Sequence, residues 1–340
     1  MTLVAIGDGQ VGDGAPAFIL AEVASAHQGD PDQVLALGRA AKKAGASGIK
    51  LQLFRSSELL APNDPRMETF HRIELSIADW ERLLDEISAL GLPLLADVFD
   101  RPSLALAEAH GVEAYKIHST DMEHPEFIKA VAATGKTLLL STGGCHREDV
   151  EKALNVARLE GNARIILLHG IQSFPTRVED SHLRYIRTLK SAFGCPVGFL
   201  DHVDGGTPMA KILPALARAF GADLIEKHMT LDRSAKGFDY ESALDPEPFA
   251  EMVTLIREAE KSFGEDQLPR QESAEHYHRL MRRAVLSRET LPRGEPVGKD
   301  QLLLVRNEKG LAPKDSGRLI GRKPKRDIPA WQPLTEDLFE

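Results

Sequence analysis

The chain is poor in cysteine. Cys145 and Cys195 are the only two in 340 residues. That rules out a disulfide framework, and no closely spaced pair suggests a zinc knuckle. A reducing compartment fits best. No run of about 18 uninterrupted apolar residues occurs, so no membrane-spanning helix is expected. The opening MTLVAIGDGQ lacks both a basic segment and an apolar run of signal-peptide length. The expectation is a soluble, cytoplasmic protein. Positive charge is not in excess either. The formal net charge is −9, which argues against nucleic acid as the main partner. The Walker phosphate loop, Gly-x-x-x-x-Gly-Lys-Ser/Thr, is absent.

The chain does contain the material for a large core, with 42% apolar and 27% charged residues. Short apolar runs alternate with segments of helical spacing. The strand runs are Ala17–Ala24, Ser47–Phe54, Leu92–Val98, Ala114–Ile117, Thr137–Leu140, Arg164–His169, Val197–Leu200 and Asp223–Ile225. Between and after them, helices are expected over Pro31–Ala44, Ile77–Leu90, Arg101–His110, Pro125–Ala133, Glu148–Leu159, His182–Phe193, Thr207–Phe220 and Glu247–Phe263, with Ser76 as a cap. Eight strand–helix units over roughly 250 residues predict a (β/α)8 TIM barrel over 1–264. Residues 265–280 are polar and read as a linker or lid. Residues 281–340 have short apolar runs broken by Pro and Gly, and predict a small β-rich domain with a thin core.

Polar residues recur where these strands exit. In a barrel such positions converge on one face. Lys50 and Gln52 alternate with apolar neighbours, so both are aimed into the middle. Lys50 and Lys116 lie inside strands, and a buried ammonium needs an anion: Glu22, Asp97, or a ligand's phosphate or carboxylate. Ser119, Ser141 and Thr142, with the backbone near Gly143 and Gly144, could complete an anion cradle. His202 and His228 follow consecutive strands and could share one divalent ion, with His169 a possible third member. On spacing alone, metal binding and general acid/base work stand level for this pair.

Taken in order, the motifs Lys50-x-Gln52, Tyr115-Lys116-Ile117-x-Ser119, Ser141-Thr142-Gly143, Asp201-His202, Glu226-Lys227-His228-x-Thr230 and Asp239 through Ser242-Ala243-Leu244-Asp245-Pro246 resemble the sialic acid synthase (N-acetylneuraminate synthase) family. The tail resembles the antifreeze-like (SAF-type) domain of those enzymes, from Arg282-Arg283 through Arg306 to Gly321-x-Lys323-x-x-Arg326-Asp327-Ile328. The resemblance implies condensation of phosphoenolpyruvate with an aldose, an N-acylated amino sugar or its phosphate. The product is a 2-keto-3-deoxy sugar acid of the sialic or nonulosonic type, and phosphate is released. By resemblance, Lys50, Lys116, Ser119 and Ser141 hold phosphoenolpyruvate, and His202 and His228 hold Mn2+ or Mg2+. Glu22 contacts the sugar and is the acid/base candidate, and Asp239 binds sugar hydroxyls. Arg306 reaches the site from a neighbouring subunit, which implies a homodimer with shared active sites.

The chain departs from the family pattern at several of these places. The family's Asn-His-Asn-Gly is Ala26-His27-Gln28-Gly29 here, and its Thr-Pro-Phe-Asp is Asp97-Val98-Phe99-Asp100. Gln172 and Phe174 replace an Asn and a Tyr, Leu200 a Ser, and Tyr240 a His. The frame is that of a divergent member with a partly rebuilt donor site. Two other readings compete. One is a metal-dependent aldolase or lyase acting on an acidic or phosphorylated sugar without phosphoenolpyruvate. The other is a non-catalytic saccharide-binding module, against which the intact lysines and histidines speak.

Overall fold

The computed structural model describes residues 3–265, 267, 269 and 271–340. The chain divides into two compact units, Met1–Phe263 and Gly264–Glu340. The first opens with an antiparallel hairpin, β1 (Leu3–Ile6) and β2 (Gly9–Gly12). Then come β3 (Phe18–Glu22), α1 (Pro31–Lys43), β4 (Gly48–Leu53), α2 (Ser56–Leu59), α3 (Met67–Ile73) and α4 (Ile77–Ser88). Next are β5 (Leu94–Val98), α5 (Arg101–Ala109), β6 (Ala114–Ile117), α6 (Pro125–Ala132), β7 (Thr137–Ser141) and α7 (Arg147–Leu159). The unit ends with β8 (Ile165–His169), α8 (Arg184–Phe193), β9 (Val197–Asp201), α9 (Met209–Ala219), β10 (Leu224–His228) and α10 (Pro246–Lys261). Strands β3 to β10 close into a barrel in sequence order, β10 pairing in parallel with β3. This is the (β/α)8 fold read from the sequence.

Side chains alternate strictly across each strand. Phe18, Leu20, Leu95, Ala114, Leu139, Ile166, Leu168, Leu200 and Leu224 point inward and pack as one inner cluster. Val4, Ile6 and Val11 of the hairpin join that cluster and plug the amino-terminal end. Gly48 faces inward too, and a Cβ there would meet the Phe18 ring at 2.8 Å. The strand residues of opposite phase pack against the helices in a second, larger cluster. Two residues beyond the inner apolar layer, the inward positions turn polar. They are Glu22, Lys50, Asp97, Lys116, Ser141, His202 and Glu226, with His228 one step further. The barrel thus has a greasy floor and a charged upper layer.

Helix starts follow their caps. Asp30 accepts from Asp32 N–H ahead of Pro31 in α1, and Ser76 accepts from Asp79 N–H at 3.1 Å, as predicted for α4. The structure differs from expectation in places. The hairpin and helices α2 and α3 were not anticipated. The last barrel strand is Leu224–His228 rather than Asp223–Ile225, because its polar end still pairs with Glu22. No described helix is long and apolar enough to cross a membrane.

In the second unit, α11 (Glu272–Met281) falls in the stretch read as a linker. It buries none of its residues: Tyr277, Leu280 and Met281, spaced three and four apart on one face, stay exposed. Strands β11 (Arg283–Ser287) and β12 (Leu302–Arg306) pair antiparallel. A small core of Val285, Leu291, Val297, Leu302, Leu319, Ile328, Leu334 and Phe339 holds the unit together.

Candidate active site

The inward polar residues meet at the carboxyl end of the barrel. Glu22 Oε1 accepts from Ala24 N–H at 2.8 Å, and its other oxygen pairs with Lys50. Lys50 Nζ lies 3.4 Å from Asp97 Oδ2 and 3.2 Å from Glu226 Oε1. Lys116 Nζ lies 3.0 Å from the same Asp97 oxygen and 3.2 Å from the same Glu226 oxygen. All five residues are buried. Asp97 and Glu226 therefore each bridge both lysines. The anions that the buried ammonium groups require come from the protein itself.

The acids do not behave alike. Burial lifts the Glu22 carboxyl against the pull of Lys50, Glu226 adds to the rise, and the group stands at about 7. Burial opposes ionisation of Glu226 too, but Lys116 and Lys50 outweigh it and hold that carboxyl at about 2. Asp97 is likewise held below its ordinary value, burial being overcome by Lys116 and Lys50. For Lys50, burial works against the charge, but Glu22, Glu226 and Asp97 push its value well above normal. At neutral pH two carboxylates face two ammonium groups, with Glu22 near its midpoint. The cluster is close to charge balance.

Above it lies a cavity of about 260 Å³. Glu22, Gln52, Lys116 and Glu226 line its floor, and Gln172, Phe174, His202, His228 and Asp239 its walls. The two histidine rings are 5.3 Å apart, and Phe174 packs on His202 at 4.4 Å. His202 Nδ1 donates to Ile171 O at 2.9 Å, which leaves Nε2 with its lone pair. His228 Nδ1 is buried without a hydrogen-bond partner. Burial, then His228, depresses His202 to about 3. Burial, with the two lysines, depresses His228 to about 3 against the opposing pull of Glu226. Both imidazoles are neutral, as metal ligands must be.

The pair fits a divalent ion. An ion about 2.1 Å from a ring nitrogen sits roughly 3 Å from that ring's centre, so rings up to about 6 Å apart can share it. Among the described residues no group of three His, Cys, Asp or Glu side chains is arranged to hold an ion. If an ion binds here, His202 and His228 would be its two imidazole ligands, and water or substrate oxygens would complete the shell.

Other expected residues lie elsewhere. Lys50 and Asp97 are beneath the cavity rather than on its wall, both fully buried. Ser141 Oγ points inward, buried and without a partner. Ser119 sits in the turn after β6, where its carbonyl faces Cys145 Sγ at 3.6 Å. The Thr142 hydroxyl is spent on Leu168 O at 3.1 Å. Alternation turns Lys227 and Asp201 outward, where they pair at 3.0 Å against the helices. His169 also faces outward, bonding Ser181 O at 2.9 Å and packing on Tyr185, so it is no third ligand. His27 accepts from Gly29 N–H and packs on Trp80. Arg306 is exposed at the end of β12 in the second unit.

The cavity also has walls that sequence reasoning passed over: Thr69, Phe70 and Ile73 from α3, and His118 and Phe238 from loops. In sequence Glu226 stands out as part of the Glu226-Lys227-His228 motif but carries no assigned role. Its spacing of two from His228 was the signal that assigns it to the same face.

A model of the NeuB family matches residues 37–268, about two thirds of the chain. The chain belongs to the NeuB family. It is 35% identical to the uncharacterized protein MJ1065 of Methanocaldococcus jannaschii, over 99% of this chain and 100% of that one. It is 29% identical to the N,N'-diacetyllegionaminic acid synthase of Legionella pneumophila, over 97% of this chain and 96% of the relative. Among solved structures, the N-acetylneuraminic acid (sialic acid) synthetase of Leptospira borgpetersenii, in complex with citrate, is similar with a TM-score of 0.75. Identity there is 31%, over 81% of this chain and 95% of the other. This NeuB-family chain thus shares its barrel with enzymes named as synthases of sugar acids.

Proposed function

We propose that this NeuB-family chain condenses phosphoenolpyruvate with an aldose, an N-acylated amino sugar or its phosphate, to a nonulosonic acid, releasing phosphate. The observation that carries the reading is one cavity in which two neutral imidazoles stand over a lysine–carboxylate cluster. Relatives named as legionaminic and pseudaminic acid synthases support the same reaction class.

Lys116, on the cavity surface, anchors the anionic groups of the donor, with Lys50 supplying charge from beneath and Ser119 and Ser141 as further partners. Gln52, Gln172 and Asp239 meet the sugar, and Phe174 is the apolar wall beside it. His202 and His228 would hold Mn2+ or Mg2+, which when bound supplies Lewis-acid polarisation of the open-chain aldehyde. C3 of the enol pyruvate bonds to the aldehyde carbon, and the aldehyde oxygen takes a proton. Glu22 is suited to give it, because its carboxyl stands near pH 7. Water adds at C2 and gives up two protons, one restoring Glu22 and one leaving on the phosphate, which departs with the electron pair of its bond to C2 as C2 becomes the ketone.

The second unit is read as an antifreeze-like domain that brings Arg306 to a partner subunit's sugar within a cytoplasmic homodimer. The test is phosphate release from phosphoenolpyruvate with Mn2+ and a panel of aldoses. Phosphate appearing with one acceptor, alongside the mass of the adduct, supports the reading. Turnover of a sugar alone, with no phosphate from any mixture, points to the aldolase or lyase instead.

A further inference from the structure

His118 is a cavity residue that the reaction as written leaves unused. It follows β6 with extended backbone, φ −65° and ψ 152°, so the alternation that aims Lys116 inward aims His118 inward as well. It lines the cavity beside Lys116 and Gln52. Its ring is fixed from two sides. Phe99 packs against it with ring centres 5.8 Å apart. The Thr120 backbone N–H points at its Nδ1 at 3.3 Å, and the Thr120 hydroxyl lies 2.9 Å from the same nitrogen. A backbone N–H can only donate, so Nδ1 accepts and Nε2 carries the proton. Among the described residues Nε2–H has no hydrogen-bond partner.

We propose that His118 is a binding residue for the anionic donor, its Nε2–H hydrogen-bonding a phosphate or carboxylate oxygen of phosphoenolpyruvate. This rests on the condensation reading above. The charge balance of the floor is the reason such a group is needed. Lys50 and Lys116 are each shared between Asp97 and Glu226, so the floor offers an incoming polyanion little net positive charge. Phe174 and Leu200 bring no donor either. A neutral N–H compensates without disturbing the ion pairs. Burial keeps the imidazole below its ordinary range although Asp97 pulls the other way, with Lys116 and Lys50 also opposing protonation. A histidine kept only to cap the Thr120 turn would use Nδ1 and would gain nothing from facing the cavity.

The test compares wild type, His118→Ala and His118→Gln, in which an amide N–H can reach the same place. Phosphoenolpyruvate is titrated into each protein without sugar, and KM values for donor and sugar are then measured separately. Alanine should weaken donor binding on the order of 10- to 100-fold. The sugar KM and melting temperature should change little, and glutamine should recover much of the loss. Equal donor affinity in all three proteins overturns the proposal. So does a rise confined to the sugar KM, or equal losses in both variants that track a lower melting temperature. Wild type that binds phosphoenolpyruvate but releases no phosphate with any aldose removes the functional reading, while the titrations still decide His118. Wild type that neither binds nor consumes it overturns both.

Discussion

Glu22 is the residue whose environment decides most. Its folded-state value of about 7 exceeds the ordinary 4.5. The folded protein thus holds this proton more tightly than the unfolded chain, and the Glu22 contribution to stability is lost as pH rises from about 4.5 through 7. Glu22→Gln removes that loss. The stability of the variant relative to wild type should therefore grow across this window, by about 3 kcal/mol at most. Urea melts at several pH values between 5 and 8 check it. Histidine protonation cancels in the difference, because both proteins carry the same histidines. A flat difference would mean that Glu22 is not perturbed. Lys50 gives a second expectation at this scale. Lys50→Met leaves Glu22, Asp97 and Glu226 facing Lys116 alone, at a cost of about 3–5 kcal/mol. A marked loss of stability in denaturant melts is expected. His228→Ala, by contrast, deletes a neutral ring at the cavity wall. It should abolish metal-dependent turnover while the circular dichroism spectrum stays that of the wild type.

Strands and loops explain what could be read from the sequence and what could not. The eight units were legible because parallel strands buried on both faces are near-continuous apolar runs, and such runs stand out. Lys50 and Gln52 were legible because they interrupt one such run at period two. The same rule applied to LIEKH would have kept Glu226 and His228 together and sent Lys227 outward. The strand was instead ended at Ile225, because a polar strand end looks like a loop. Helix α3 was missed because residues 54–75 are mostly polar, although it brings Thr69, Phe70 and Ile73 to the cavity. His118 and His169 are chemically alike in sequence, and only the phase of their strands separates the cavity from the helix layer. The outward pair tests this assignment. Lys227→Met alone leaves Asp201 buried without its counter-charge, holding only the Val203 N–H, and should cost about 3–5 kcal/mol. Adding Asp201→Leu should recover much of that in a double-mutant comparison. If Lys227 instead served the reaction, turnover would collapse in both variants irrespective of stability.

For the whole molecule, the question is whether one chain makes one complete site. The barrel supplies the lysines, carboxylates and imidazoles, and Arg306 belongs to the other unit. If the sites are shared in a twofold dimer, two crippled chains can repair each other. Arg306→Ala keeps His228 but lacks the arginine, and His228→Ala keeps the arginine but lacks the imidazole. In a heterodimer, the barrel with intact His228 then receives an intact Arg306 from its partner, and the other barrel stays dead. Random pairing of equal amounts makes about half the dimers mixed, with one working site in each, so about one quarter of all sites should work. Co-expressing the two variants and assaying phosphate release at low sugar concentration reads this directly. If Arg306 serves its own chain, the mixed dimer pairs each surviving His228 with a missing arginine. Activity would then stay at the average of the two parents, and sharing of the site through Arg306 would be excluded.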